Sequence, residues 1–183
     1  MKQIFLISGK AQHGKDTVAK MLANKLEGKT LIAHNADYLK MIAKTYFEWD
    51  GTKNTEGRTL LQWLGTDRVR VELNRPLFWV ENICNAIEIA QDKYDFFCVP
   101  DCRFPNEVFY PKAVFPGIVT TLHIIRTDYE TTLTEEQQKH PSEIALDGFQ
   151  FDYTMESKSG LKSLSGEVDK FLYWRFKDNA ISD

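Results

Sequence analysis

Short apolar runs alternate with longer amphipathic stretches along this chain. Ile4, Phe5, Leu6 and Ile7 are continuously apolar, the pattern of a strand buried on both faces. Val18, Met21, Leu22 and Leu26 follow at helical spacing, and Gly28 marks the stop. A second short strand is predicted over 30–33 and a helix over 36–47. Residues 52–57 are polar and glycine-bearing, which predicts a mobile loop. Leu60, Leu61 and Leu64 predict a short helix ending at Gly65. Trp79, Ile83, Ala86, Ile87 and Ala90 form the clearest helical stripe. Another buried strand is predicted over 96–99, ending at Pro100-Asp101, and a further one over 121–125. Residues 127–146 are polar, and Thr134, Glu135 and Glu136 set out a capped helix start. A last strand over 151–155 precedes a closing helix with Leu161, Leu164, Val168, Phe171, Leu172 and Arg175 at helical spacing. Strands alternating with helices predict a parallel sheet with crossover helices.

Composition narrows this picture. The 183 residues fit one α/β domain, and 43% hydrophobic content suffices for a packed core. A formal charge of −3, with acids and bases mixed, offers no basic block for gripping a nucleic-acid polymer. Cys84, Cys98 and Cys102 lack CxxC spacing, so they read as reduced thiols of a cytoplasmic protein. Cys102, beside a candidate catalytic residue, has reactivity as its alternative reading. The apolar run 4–7 is too short for a signal-peptide core or a membrane span.

The strongest chemical signal is Gly9-Lys10-Ala11-Gln12-His13-Gly14-Lys15-Asp16-Thr17. It matches GxxxxGK and lies between a buried strand and an amphipathic helix, the context a phosphate-binding loop requires. Glycines let successive N–H groups turn inward on phosphate oxygens, and the following helix adds its free amides and dipole. Lys15 then reaches the β- and γ-phosphates as a point charge. The usual hydroxyl after the lysine is replaced by Asp16, with Thr17 next. A carboxylate there repels a triphosphate unless a metal intervenes, so Asp16 is read as a contact to Mg²⁺ or its water shell. Thr17 is read as a hydroxyl donor to phosphate.

Asp101 follows a buried strand, where the ligand crevice of such sheets opens. It can hold Mg²⁺ through water; a helix cap or turn is its other reading. Arg103 can clamp acceptor phosphate oxygens or offset charge on the transferring group, or form a surface ion pair. Trp79 is either core or a stacking surface for an acceptor base.

Several blocks resemble the phage deoxynucleoside monophosphate kinase family: Gly14-Lys15-Asp16-Thr17; Arg58-Thr59-Leu60-Leu61-Gln62-Trp63-Leu64-Gly65-Thr66-Asp67 with Arg70 and Trp79 beyond; Asp101-Cys102-Arg103-Phe104-Pro105-Asn106-Glu107; and His140-Pro141-Ser142-Glu143. Together they span residues 1 to about 164. Pro100 departs from the pattern, standing where the family often has a second acidic residue.

The resemblance implies a three-layer α/β/α P-loop kinase fold with a five-stranded parallel sheet in the order 2-3-1-4-5. The whole chain, 1–183, would be one kinase domain with an acceptor-binding region at about 36–80 and a lid at about 127–146. It implies ATP as donor, Mg²⁺ as cofactor and a nucleoside monophosphate as acceptor, with neither a membrane nor a nucleic-acid polymer as partner. It places the protein in the cytoplasm, the host's if phage-encoded, and leaves a homodimer open. Asp37, Lys40, Arg58, Gln62, Arg70, Trp79 and Glu143 would face the acceptor, and Arg103 would lie between the two phosphates. Arg126 would act at the lid with His140 and Ser142. The acceptor oxygen is already largely ionised near neutral pH, so no general base is assigned. Rival readings are a kinase of the same architecture for a phosphorylated non-nucleotide metabolite, a non-catalytic nucleotide-binding module and a hydrolytic motor.

Overall fold

The computed structural model describes residues 1–177. Its frame is a five-stranded parallel sheet: β1 (Gln3–Ser8), β2 (Thr30–Ile32), β3 (Phe96–Cys102), β4 (Val119–Arg126) and β5 (Tyr153–Ser157). Spatial order is β2-β3-β1-β4-β5, the order implied by the family resemblance. Among the described residues eight α-helices connect and cover it: α1 (Lys15–Lys25), α2 (Ala36–Tyr46), α3 (Thr55–Gln62), α4 (Phe78–Ala90), α5 (Asn106–Val114), α6 (Glu135–Lys139), α7 (Pro141–Ile144) and α8 (Leu161–Phe176).

The alternation of side chains along β1 explains the three layers. Phe5 and Ile7 point to one face and pack with Val18 and Leu22 of α1 and Val168 and Phe171 of α8. Ile4 and Leu6 point to the other and pack with Val80, Ile83 and Ile87 of α4. A strand sandwiched this way must be apolar at every position, which is why residues 4–7 form an unbroken run. A third cluster joins Leu39 and Ala43 of α2 to Trp49, Leu64, Val69 and Trp79, away from the sheet. It supports the region above the ends of β1 and β3.

Several elements differ from the sequence expectations. Strand β3 runs on through Pro100 and Asp101 to Cys102. Proline is tolerated there because the ladder with β1 slips between Leu6 and Ser8, and β2 ends opposite Cys98. The loop expected over 52–57 is already helical from Thr55, where Asn54 caps α3 by accepting from Gly57 N. The helix expected to stop at Gly65 instead widens into a π-helical segment, Trp63–Glu72. Helix α5 was not anticipated at all, and β5 lies two residues later than expected. The expected cap at Thr134 is present as a full capping box with Gln137.

The three cysteines are free and buried. Burial pushes the thiols of Cys84 and Cys98 up to about 12 and that of Cys102 well above its ordinary range. The reactive reading of Cys102 therefore falls, because no thiolate forms near neutral pH.

Candidate functional site

The phosphate-binding loop leaves β1 at Ser8 and enters α1 at Lys15. Gly9 has φ +147°, and a Cβ there would lie 2.5 Å from Ile124 O on the adjacent strand. Gly14, the N-cap of α1, has φ +96°. Both positions need glycine, and the concave loop needs both. His13 Nδ1 lies 3.3 Å from Ile124 O and from Arg126 N, which ties the loop to β4.

Lys15 is 7% exposed, and its Nζ donates to Gly9 O at 2.7 Å and Lys10 O at 2.8 Å. Burial, helped by the charge of Arg103, lowers its pKa to about 8. These carbonyl contacts hold the ammonium over the loop. Asp16 follows on an exposed turn, and its Oδ1 meets His34 Nε2 at 2.9 Å. Burial works to raise the Asp16 carboxyl, but the His34 hydrogen bond and charge, with Lys15, bring it below the usual range.

Asp101 sits at the end of β3 with both oxygens on the start of α2. Oδ1 accepts from Asn35 N at 2.9 Å and from Asn35 Nδ2 at 3.3 Å, and Oδ2 accepts from Ala36 N at 3.0 Å. The carboxylate thus serves as the cap that α2 lacks from its own Asn35. One lone pair of Oδ2 remains, and Asp101 still lines the cavity described below.

Arg103 projects from the β3–α5 turn. Its guanidinium pairs with the Glu143 carboxylate and donates to Ser142 O at 3.1 Å. Glu143 is nearly buried, and its Oε2 has no hydrogen-bond partner. Glu107, 3% exposed, shapes this turn: Oε2 accepts from Arg103 N at 2.6 Å and Phe104 N at 3.2 Å. Its Oε1 accepts from Arg70 at 2.5 Å, and the Arg70 guanidinium stacks 4.2 Å from the Phe104 ring. Burial raises the Glu107 carboxyl pKa, against the pull of Arg70 and the two amides.

These groups converge on a cavity of about 570 Å³. Its donor end is formed by Ala11, Gln12, Lys15 and Asp16, with Asp101 and Arg103 between. Lys40, Lys53, Arg58, Gln62, Arg70 and Trp79 form the far wall. Leu133, Gln137, Ser142 and Glu143 cover it from the segment between β4 and β5. Trp79 is mostly core, 3% exposed, with its indole N–H on Gly65 O at 2.9 Å, and only an edge meets the cavity.

Other sequence candidates lie off this wall. Gly9, His13, Gly14 and Thr17 belong to the loop and the first turn of α1, behind the cavity surface. Asp37 supports Lys40, accepting from it at 3.2 Å. His140 caps α7 through Ser142 N at 3.2 Å. Arg126 sits outside the cavity, stacked 5.1 Å from the Tyr129 ring and donating to Ser159 Oγ at 2.6 Å. It lies against the loop at Gln12 and His13, since the Tyr129 hydroxyl contacts Gln12. Sequence reasoning gave no role to Lys10, Lys53, Asn35 or Glu107. Of these, Lys10 lay within the cradle motif and Glu107 was the last residue of the block that begins at Asp101; Lys53 and Asn35 carried no signal.

The donor set suits Mg²⁺ carried in by a triphosphate. Among the described residues no group of three or more His, Cys, Asp or Glu could hold a metal alone. Mg²⁺ requires none, taking one or two carboxylates with phosphate oxygens and water. Asp16, exposed beside the cradle, and the free lone pair of Asp101 supply hard oxygens of that kind. No helix of the described residues is long and apolar enough to cross a membrane.

No protein-family model matches the chain, and no curated protein sequence does so significantly. Among solved structures, dephospho-CoA kinase from Campylobacter jejuni superposes with a TM-score of 0.53 at 17% identity, over 98% of this chain and 100% of that one. Shikimate kinase from Bacteroides thetaiotaomicron gives a TM-score of 0.49 at 12% identity, over 97% of this chain and 99% of that one. At such identity the likeness establishes the fold alone: the chain has the P-loop kinase fold.

Proposed function

We propose that this chain transfers the γ-phosphate of ATP to a deoxynucleoside monophosphate, releasing ADP and the deoxynucleoside diphosphate. One observation carries the reading. The cavity opens directly from the cradle lysine, passes Arg103, and ends on a wall with four cations and an aromatic edge. At about 570 Å³ it is in the size range of small-molecule sites. A phosphorylated, planar acceptor matches that lining, and the block resemblance to the phage kinases narrows it to a nucleotide. Residues 36–80 are then the acceptor region and 127–146 the lid.

Each residue's part follows from its contacts. Lys15 exchanges two loop carbonyls for donor phosphate oxygens, and the loop amides with Thr17 complete the cradle. Asp16 and Asp101 would hold Mg²⁺, whose chemistry is to neutralise charge across the donor's β- and γ-oxygens. Arg103, between cradle and cavity, offsets charge as the phosphoryl group crosses. It must release or share Glu143 to do so. Arg126, against the loop, steadies the donor end. Lys40, Arg58, Gln62 and Arg70 orient the acceptor, with the edge of Trp79 bordering its base. The cover formed by Ser142, Glu143 and their neighbours keeps out water, which would compete as acceptor.

The test is a coupled ADP-release assay with Mg·ATP and a panel of ribo- and deoxynucleoside monophosphates, with Lys15→Ala as control. Turnover dependent on one or a few deoxynucleotides is expected. Dephospho-coenzyme A belongs in the panel, because the similar Campylobacter jejuni structure carries that name. Turnover with it alone would assign an acceptor other than a nucleoside monophosphate, and ADP release without any acceptor would assign an ATPase.

A further inference from the structure

We infer that His34 is a positioning residue for the donor's Mg²⁺, fixing the Asp16 carboxylate beside the cradle from the turn between β2 and α2. The inference rests on the kinase reading above. It starts from the departure at Asp16. A carboxylate in the first turn of α1 faces the triphosphate with like charge, and its side chain is 69% exposed and free to swing. The structure supplies what restrains it.

His34 Nε2 lies 2.9 Å from Asp16 Oδ1. A carboxylate only accepts, so this nitrogen carries the proton. Asp37 holds the histidine in turn: its Oδ2 accepts from His34 N at 2.9 Å and lies 3.4 Å from Nδ1. Lys40 Nζ donates to the other Asp37 oxygen at 3.2 Å. A continuous chain, Lys40–Asp37–His34–Asp16, therefore runs from the acceptor wall to the donor cradle. With Oδ1 held by His34, Asp16 Oδ2 has no hydrogen-bond partner among the described residues and is left for a hard cation or its water. The next two residues of the same turn, Asn35 and Ala36, give their amides to Asp101. Three consecutive residues thus set both carboxylates proposed for the metal. A hydrogen bond that orients a ligand in this way commonly governs metal affinity more than fold.

Binding, rather than turnover, separates this role from a purely structural one. Mn²⁺ replaces Mg²⁺, and affinity for Mn·ATP is read by electron paramagnetic resonance, beside affinity for metal-free ATP in EDTA by calorimetry. His34→Ala is expected to weaken Mn·ATP about tenfold, the value of one hydrogen bond to a charged group. Metal-free ATP should change less than twofold, and His34→Gln, which keeps an N–H donor, should recover most of the loss. Should His34→Ala fail to fold, His34→Phe keeps the bulk without the donor and serves the same comparison. Equal losses for both forms of ATP, or no loss for either, overturn the inference while leaving the kinase reading intact. Wild-type protein that binds neither form overturns both.

Discussion

Lys15 shows how burial tunes a single charge. Its ordinary pKa of 10.5 falls to about 8 because the ammonium is desolvated, with Arg103 adding like charge. Donor phosphates favour the ammonium and raise the value again, so above pH 8 binding must take up a proton. Affinity for ATP is therefore expected to be flat below pH 8 and to fall above it, by up to about tenfold per pH unit. Calorimetry at pH 7 and 9, in two buffers of different ionisation enthalpy, reads both the loss and the proton uptake. Lys15→Arg, charged throughout this range, should flatten the profile; a wild-type profile flat to pH 10 would remove the buried-lysine account. Stability of the free chain moves the opposite way. Between pH 8 and 10.5 the unfolded state holds more protons than the native one, so this residue makes stability rise with pH across that window.

At the scale of elements, two carboxylates on either side of the β3–α5 turn, half-buried Asp101 on the strand and buried Glu107 on the helix, decide how that region is built. Asp101 caps α2, and Glu107 gathers the amides of Arg103 and Phe104 while pairing with Arg70 of the π-helical segment. Glu107→Gln would leave Arg70 as an uncompensated buried charge, and about 3–5 kcal/mol of stability should be lost in urea unfolding. Adding Arg70→Met to Glu107→Gln should recover most of it, because the amide oxygen at 107 still accepts from Arg103 N and Phe104 N; a double mutant as unstable as the single would show that the stranded Arg70 charge is not the cause. This arrangement also marks the limit of what the sequence made legible. The cradle was readable because its glycines, lysine and flanking strand and helix are local to one another. The strand order and the three layers followed from the resemblance, and the burial of β1 on both faces from its unbroken apolar run. The wiring of Glu107 was not, because Arg70 lies 37 positions away and nothing local links the two. The π-helical segment escaped for a related reason: Gly65 reads as a stop in isolation, and only Trp79, donating to its carbonyl from α4, shows what it packs against. Nothing local in the sequence links His34 to Asp16, 18 positions away; only the fold sets them together.

For the molecule as a whole, the strand order sets where chemistry can occur. β1 lies between β3 and β4, so the chain's crossings diverge on either side of it and leave a crevice at the strands' carboxyl ends. Cradle, Asp101 and Arg126 all stand there, at the ends of β1, β3 and β4 respectively. The segment between β4 and β5 is fastened over this crevice by Lys10 and Arg103. Lys10 Nζ donates to Glu143 O at 2.6 Å and pairs with Asp147, while Arg103 holds Ser142 O and the Glu143 carboxylate. The cover is thus tied to the cradle loop through Lys10 and to the β3–α5 turn through Arg103; under the proposed function, opening it would be coupled to engagement of phosphate by Arg103. The Lys10–Asp147 pair is exposed, so it contributes only about 0.2–1 kcal/mol to global stability. Asp147→Ala should therefore lower Tm by no more than about 4 °C. Locally its effect should be larger, because losing Asp147 also loosens Lys10, whose ammonium donates to Glu143 O in the same segment. Hydrogen exchange at these amides should accelerate several-fold in the variant, with β1 and β3 unchanged. Exchange that rises uniformly across the sheet, or not at all in 141–147, would show that the pair is not what holds the cover down.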